Sequence, residues 1–254
     1  AETAWSPRAS SELKPVLAFQ AYGPSGTTGA TNVYRLKGAD LAAWGYDTAP
    51  NRPIDKCKVL SYGPYFSGAQ CVNLDANYIA ANMTDLLTAA DDYDSGDASR
   101  MQDALDWLDQ DLRAGLRADT GVLGNQTAYY QAVNIFPAWE TIADGHDLPV
   151  IQYENSPEFW YPSTSRLTAI SVDTAYSAKI QNLIEAYKED HRFYALCRYQ
   201  MDEFLKHPHS EATACLAIAG TSQWSPLKGD IYSDKYQFWY ALKDINNGRR
   251  RIKL

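Results

Sequence analysis

Four short apolar runs constrain this chain most: VLAFQAY at 16–22, KVLSYGPYF at 58–66, PVIQYE at 149–154 and ATACLAIA at 212–219. Their apolar residues are continuous rather than alternating, the pattern of strands covered on both faces, as in parallel sheets. Between them the apolar residues recur at helical spacing. Met101, Leu105, Leu108, Leu112 and Leu116 form one stripe; Tyr176, Ile180, Leu183, Ile184 and Tyr187 a second; Phe193, Cys197, Met201 and Phe204 a third, opening after Asp190. Ser99 with Gln102 reads as a capping box for the first stripe. Further helices are expected over 73–90, 127–144 and 234–245. Strands separated by helices predict an α/β fold with parallel strands and right-handed crossovers. No internal repeat or low-complexity linker interrupts the 254 residues, so a single domain is expected over 1–254.

Each strand run flows into a loop rich in Gly, Pro, Ser and aromatics: GPSGTTGATN, SGAQC, NSPEFWYPSTS and GTSQWSPLKGD. In parallel folds the functional face lies where the carboxyl ends of the strands meet such loops. The first loop has Gly23, Gly26 and Gly29, at the wrong spacing for a dinucleotide fingerprint, and no Gly-Lys-Ser/Thr follows it. Phosphate cradles are therefore excluded. A net charge of −8 argues against nucleic acid as a partner, and Arg249–Arg251 reads as a solvated tail. No apolar run approaches the roughly 18 residues of a membrane helix, and no membrane partner is expected. The first fifteen residues lack the basic and apolar regions of a signal peptide.

Four cysteines and four histidines show no ligand spacing, so neither a metal nor another cofactor is expected. Cys57 and Cys71 bracket the second strand and would close a short disulfide loop in an oxidising compartment. Cys197 on a helix and Cys215 on a strand read as buried thiols. No nucleophile elbow and no zinc-protease motif is present.

Glu154 is the residue that stands out, a carboxylate at the end of a buried strand. Its chemical reading is catalysis; its plain reading is a strand-end glutamate bound to a neighbouring cation or amide. Glu158, four residues on, reads as solvated. Sugar sites combine flat aromatics with hydrogen-bonding groups. On that chemistry Gln20, Tyr22, Tyr62, Tyr65, Trp160 and Trp224 are the candidate substrate-binding residues, each against the alternative of core packing. Trp107, Trp139 and Trp239 fall in helical patterns and read as core or interface.

The pieces VLAFQAY, VLSYGPYF, TIADGHDLPVIQYEN, DHRFYALCRYQMDEFL and SQW followed by SDKYQFWYAL occur in an order that resembles a known group. It is the C-terminal half of a (β/α)8 glycoside-hydrolase-like domain, found in uncharacterised bacterial and phage proteins that often carry carbohydrate-binding modules. The resemblance spans nearly the whole chain and implies a TIM-barrel-like fold of which this chain supplies about the last four β/α units. It also implies that Glu154 holds the strand-seven position of a retaining nucleophile, and that the protein is extracellular or at a virion or cell surface. Asn155-Ser156-Pro157 stands where the group has glycines, and the strand that carries the acid/base glutamate is missing. Hydrolysis needs two carboxylates, roughly 5–5.5 Å apart for retention or 6.5–9.5 Å for inversion. A half barrel would expose raw sheet edges. The expected partners are thus a carbohydrate and a further polypeptide chain or segment completing the barrel, a second copy being the less favoured choice. The alternative function is a non-catalytic carbohydrate-binding or structural subunit of a surface or virion assembly.

Overall fold

The apolar runs do pair as parallel strands. The computed structural model describes residues 16–19, 53–67, 83–114, 127–155, 157–159, 162–213 and 237–248. Along these the chain forms β1 (Val16–Phe19), a short helix α1 (Pro53–Lys56), β2 (Val59–Tyr62) and β3 (Phe66–Ser67). Next come α2 (Thr84–Asp94) and α3 (Ala98–Arg113), then a composite helix. This composite consists of α4 (Ala128–Tyr130), a π-helical segment Gln131–Ile135, and α5 (Phe136–His146). It leads into β4 (Val150–Gln152) and β5 (Pro157–Glu158). The remainder is α6 (Thr164–Ala169), α7 (Tyr176–Glu189), α8 (His191–Leu205), β6 (Ser210–Thr213) and α9 (Gln237–Asn246).

Two parallel sheets result. The larger has the order β1-β2-β4-β6, and the smaller pairs β3 with β5. In the larger sheet the strand order follows the chain order without reversal, and every pairing is parallel. The contacts divide the chain into two compact units. One comprises Ala1–Pro64, Asn134–Glu154 and Phe204–Cys215, the other Tyr65–Val133, Asn155–Glu203 and Leu216–Leu254.

The first unit holds the four-stranded sheet. Leu60, Tyr62, Val150 and Gln152 are buried. Tyr62 stacks on Trp139 of α5, with ring centroids 4.9 Å apart and planes 13° from parallel. Phe136 and Phe204 close round the same ring, at 6.5 and 6.1 Å. The alternate residues of the sheet form the in-register row Ala18, Ser61, Ile151 and Ala212. These are mostly small; Ala18 and Ala212 are exposed, Ile151 is half-buried and Ser61 is buried.

In the second unit α2, α3 and α7 pack through Leu86, Ala90, Leu108, Leu112, Leu183 and Ile184, all buried. Aromatic rings extend this core, with Phe193 lying 5.7 Å from Phe159, 5.5 Å from Tyr187 and 6.2 Å from Phe238. The fully buried Lys188 lies over the Phe159 ring at 5.2 Å and donates to Glu185 at 3.1 Å. Arg192 at the start of α8 donates to Asp106 and Gln102 on α3, at 2.7 and 3.0 Å.

Several expectations need correction. Burial on both faces holds for β2 and largely for β4, but among the described residues β1 and β6 are the outermost strands, with Val16 50% exposed and Glu211 and Ala212 exposed. KVLSYGPYF is not one strand. It leaves the large sheet at Gly63 and Pro64, as a proline without an N–H favours, and pairs again as β3 with β5. β6 starts two residues before the expected 212, and Cys215 lies outside the described residues. Cys57 is a free buried thiol that donates to the Ile54 carbonyl at 3.3 Å, so no disulfide is present there; Cys71 lies outside the described residues. Cys197 is a buried thiol on α8, as expected. Of the tryptophans read as core or interface, Trp139 is core, whereas Trp239 is 40% exposed and so is not core.

Candidate functional site

The carboxyl ends of the four parallel strands line up in register as Phe19, Tyr62, Gln152 and Thr213. Here the first unit builds a closed polar chain. The Thr213 hydroxyl donates to Gln152 Oε1 at 2.7 Å, and Gln152 Nε2 donates to the Tyr62 hydroxyl at 3.3 Å. Tyr62 is 0% exposed, and burial drives its phenol far above the ordinary tyrosine range, with the Gln152 bond opposing weakly. Of the two readings of Tyr62, core packing is the one its surroundings match: the ring is stacked and the hydroxyl is occupied inside the protein.

The ladder continues one step past β4, where the Tyr153 N–H reaches the Tyr62 carbonyl at 3.2 Å. The chain bends at Tyr153, so strand alternation does not carry through to the next residue. That residue is Glu154, half-buried, at the carboxyl side of a central strand. The opposite end of the sheet has its own acid–base pair. His209 Nδ1 lies 2.8 Å from Glu140 Oε1, its backbone N–H points at the same carboxylate, and its carbonyl accepts from the Val150 N–H at 2.7 Å. The bond to Glu140 raises the imidazole above the ordinary histidine range, partial desolvation opposes, and the charges of Asp144 and Asp147 add to the rise.

The second unit contains the residues just beyond β2 and β4. Tyr65 is half-buried, and its carbonyl accepts from Gln131 Nε2 at 3.2 Å. Asn155 is buried, and its amide donates to Gln200 Oε1 on α8. Phe66 stands opposite Pro157 and Ser67 opposite Glu158 in the small sheet. Elsewhere in this unit Tyr93, Gln181, Asn182, Glu185 and Glu189 line a polar cleft of about 370 Å³ on α2 and α7.

Of the residues singled out in the sequence, Glu154, Tyr62 and Tyr65 are described, whereas Gln20, Tyr22, Trp160 and Trp224 lie outside the described residues. Gln131 and Gln200 were not foreseen, although a signal existed. Gln131 falls among Ala128, Ala132 and Ile135, and Gln200 among Phe193, Cys197 and Phe204, so both are amides set into apolar helix stripes. Among the described residues no group of three or more His, Cys, Asp or Glu side chains is arranged to hold a metal. Chemically, the strand-end row offers amide and hydroxyl hydrogen bonds, and Glu154 adds a carboxylate at its margin.

No family model, curated protein or solved structure matches this chain. What the fold defines is its class, α/β with a four-stranded parallel sheet.

Proposed function

We propose that the chain is part of a glycoside-hydrolase-like (β/α) barrel acting on a polysaccharide, extracellularly or at a virion or cell surface, with Glu154 as its retaining-type nucleophile. The observation that carries this reading is the position of Glu154 just past a central strand of an all-parallel, chain-ordered sheet. Doubly wound sheets reverse their strand order at a switch point; barrels advance in one direction, as these four strands do. The small residues on the second face, Ala18, Ser61 and Ala212, fit a sheet that meets further structure there. The acid/base carboxylate would come from the polypeptide that completes the barrel. Tyr65 is the described aromatic assigned to sugar contact, with Gln20, Tyr22, Trp160 and Trp224 as further contacts.

In this reading a Glu154 carboxylate oxygen bonds to the anomeric carbon as the bond to the leaving group breaks, and that group departs with the electron pair. Glycosides that carry a fluorine at C2 and a dinitrophenolate leaving group need no acid catalyst. They therefore test the nucleophile independently of the missing partner. The expected result is a stable glycosyl adduct, found by mass spectrometry on the peptide containing Glu154 and absent from Glu154→Gln. An adduct on no peptide, or on both proteins, overturns the assignment.

A second reading is favoured by one observation. The row beside Glu154 is a satisfied neutral network of Tyr62, Gln152 and Thr213. A non-catalytic carbohydrate-binding or structural subunit would have that character, and would bind glycans without forming the adduct.

A further inference from the structure

The small β3–β5 sheet is only two residues long on each side, and Pro157 brings no N–H to it. A ladder this short does not hold itself together. Two buried glutamines on different helices help to fix it, Gln131 at the Tyr65 carbonyl and Gln200 at the Asn155 side chain. Gln131 is 2% exposed and Gln200 0%. Gln131 is also the first residue of the π-helical segment, a form seen mostly as single turns at functional sites.

We infer that Gln131 is a positioning residue, holding Tyr65 in place for ligand contact through the backbone carbonyl; this rests on the reading of Tyr65 as a sugar contact. Both glutamines are half used. Among the described residues Gln131 Oε1 and Gln200 Nε2 find no hydrogen-bond partner. A buried amide atom left unpaired weakens a fold, and an apolar residue of the same length would serve stability as well or better. What glutamine adds at position 131 is an N–H donor 3.2 Å from the Tyr65 carbonyl. That bond also settles the orientation of the amide, because only the nitrogen can donate to a carbonyl. The donor fixes the backbone on which the half-buried Tyr65 side chain is mounted.

Two variants separate positioning from bulk packing. Gln131→Met keeps length and loses the donor. Gln131→Glu donates an O–H to the carbonyl while protonated and cannot once ionised. Amide hydrogen exchange at Phe66 and Glu158, the two donors of the ladder, is the readout that needs no ligand, with thermal midpoints alongside. In Gln131→Met exchange at these two amides rises about tenfold, the scale of one lost hydrogen bond, with the midpoint unchanged or higher. In Gln131→Glu protection is retained at about pH 5 and lost at about pH 8, because burial keeps the acid protonated only up to a raised pKa. The wild type, corrected for intrinsic exchange, shows no such step. Affinity for a panel of soluble oligosaccharides, measured on the same proteins, follows the same profile.

Unchanged exchange in Gln131→Met, or a loss of protection throughout the unit at every pH, overturns the inference. So does normal oligosaccharide affinity in a Gln131→Met protein whose Phe66 and Glu158 have lost protection. If the wild type binds no saccharide, the sugar reading falls, and the exchange profile alone decides whether Gln131 holds Tyr65.

Discussion

His209 joins three bonds at one residue: its ring and its N–H face Glu140 on α5, and its carbonyl receives the first N–H of β4. Because Glu140 lifts the folded-state pKa of the imidazole, protonated His209 favours the folded chain. That contribution is complete below the unfolded value of roughly 6.5 and disappears as pH rises through the higher folded value. His209→Asn can still offer an N–H but never carries the charge. Urea unfolding should therefore show the wild type ahead of His209→Asn by its widest margin at about pH 6, and by a margin that shrinks as pH rises from there. A margin that does not change with pH would remove the imidazolium from the account. The pair was not foreseen, because His209 showed no ligand spacing and nothing in the sequence signals that residue 140 lies across from it. Tyr62 shows the reverse case: its place on the second strand was legible, and its depth was not.

At the level of elements, apolar pattern carried most of the information. Continuous runs marked β1, β2, β4 and the last two residues of β6, and helical stripes marked α3, α7 and α8 within a few residues. Junctions were less legible, because they depend on single hydrogen bonds and dihedral angles. Thr127 does begin the composite helix, its side chain accepting from the Tyr130 N–H at 3.3 Å, but the π turn that follows has no periodic signature. The start of α3 moved for a similar reason. The sequence suggested Ser99 as its cap, whereas Gly96 turns the chain at φ 73° and Asp97 becomes the cap. The Asp97 carboxylate accepts from the backbone N–H of both Ser99 and Arg100 at 3.0 Å. Ser99 thus lies inside the first turn. Asp97→Ala should cost about 1 kcal/mol and Ser99→Ala close to nothing, as read by chemical denaturation. Equal losses from the two would return the cap to Ser99.

For the whole chain, the division into two units was not visible in composition, since each is assembled from three separated stretches and no linker marks the change. The sheet itself poses the larger physical question. A parallel sheet is stable when its faces and edges are covered, yet β1 and β6 end it on both sides with Val16, Ala18, Glu211 and Ala212 exposed. Among the described residues each of these edge strands pairs with one neighbour only. Open parallel edges of this kind recruit another strand, from a partner chain or, when none is supplied, from a second copy. Sedimentation of the purified chain should accordingly reveal concentration-dependent species heavier than 28.4 kDa. Lysine is the residue natural sheets use to blunt an edge. Val16→Lys and Ala212→Lys, each at an exposed position, should shift the distribution toward 28.4 kDa while leaving the thermal midpoint almost unchanged. A chain that sediments only at 28.4 kDa at every concentration, with the lysine variants identical to it, would mean that these edges recruit nothing. The incomplete-barrel reading would then lose its physical motive, and Glu154 would have to find its second carboxylate within this chain.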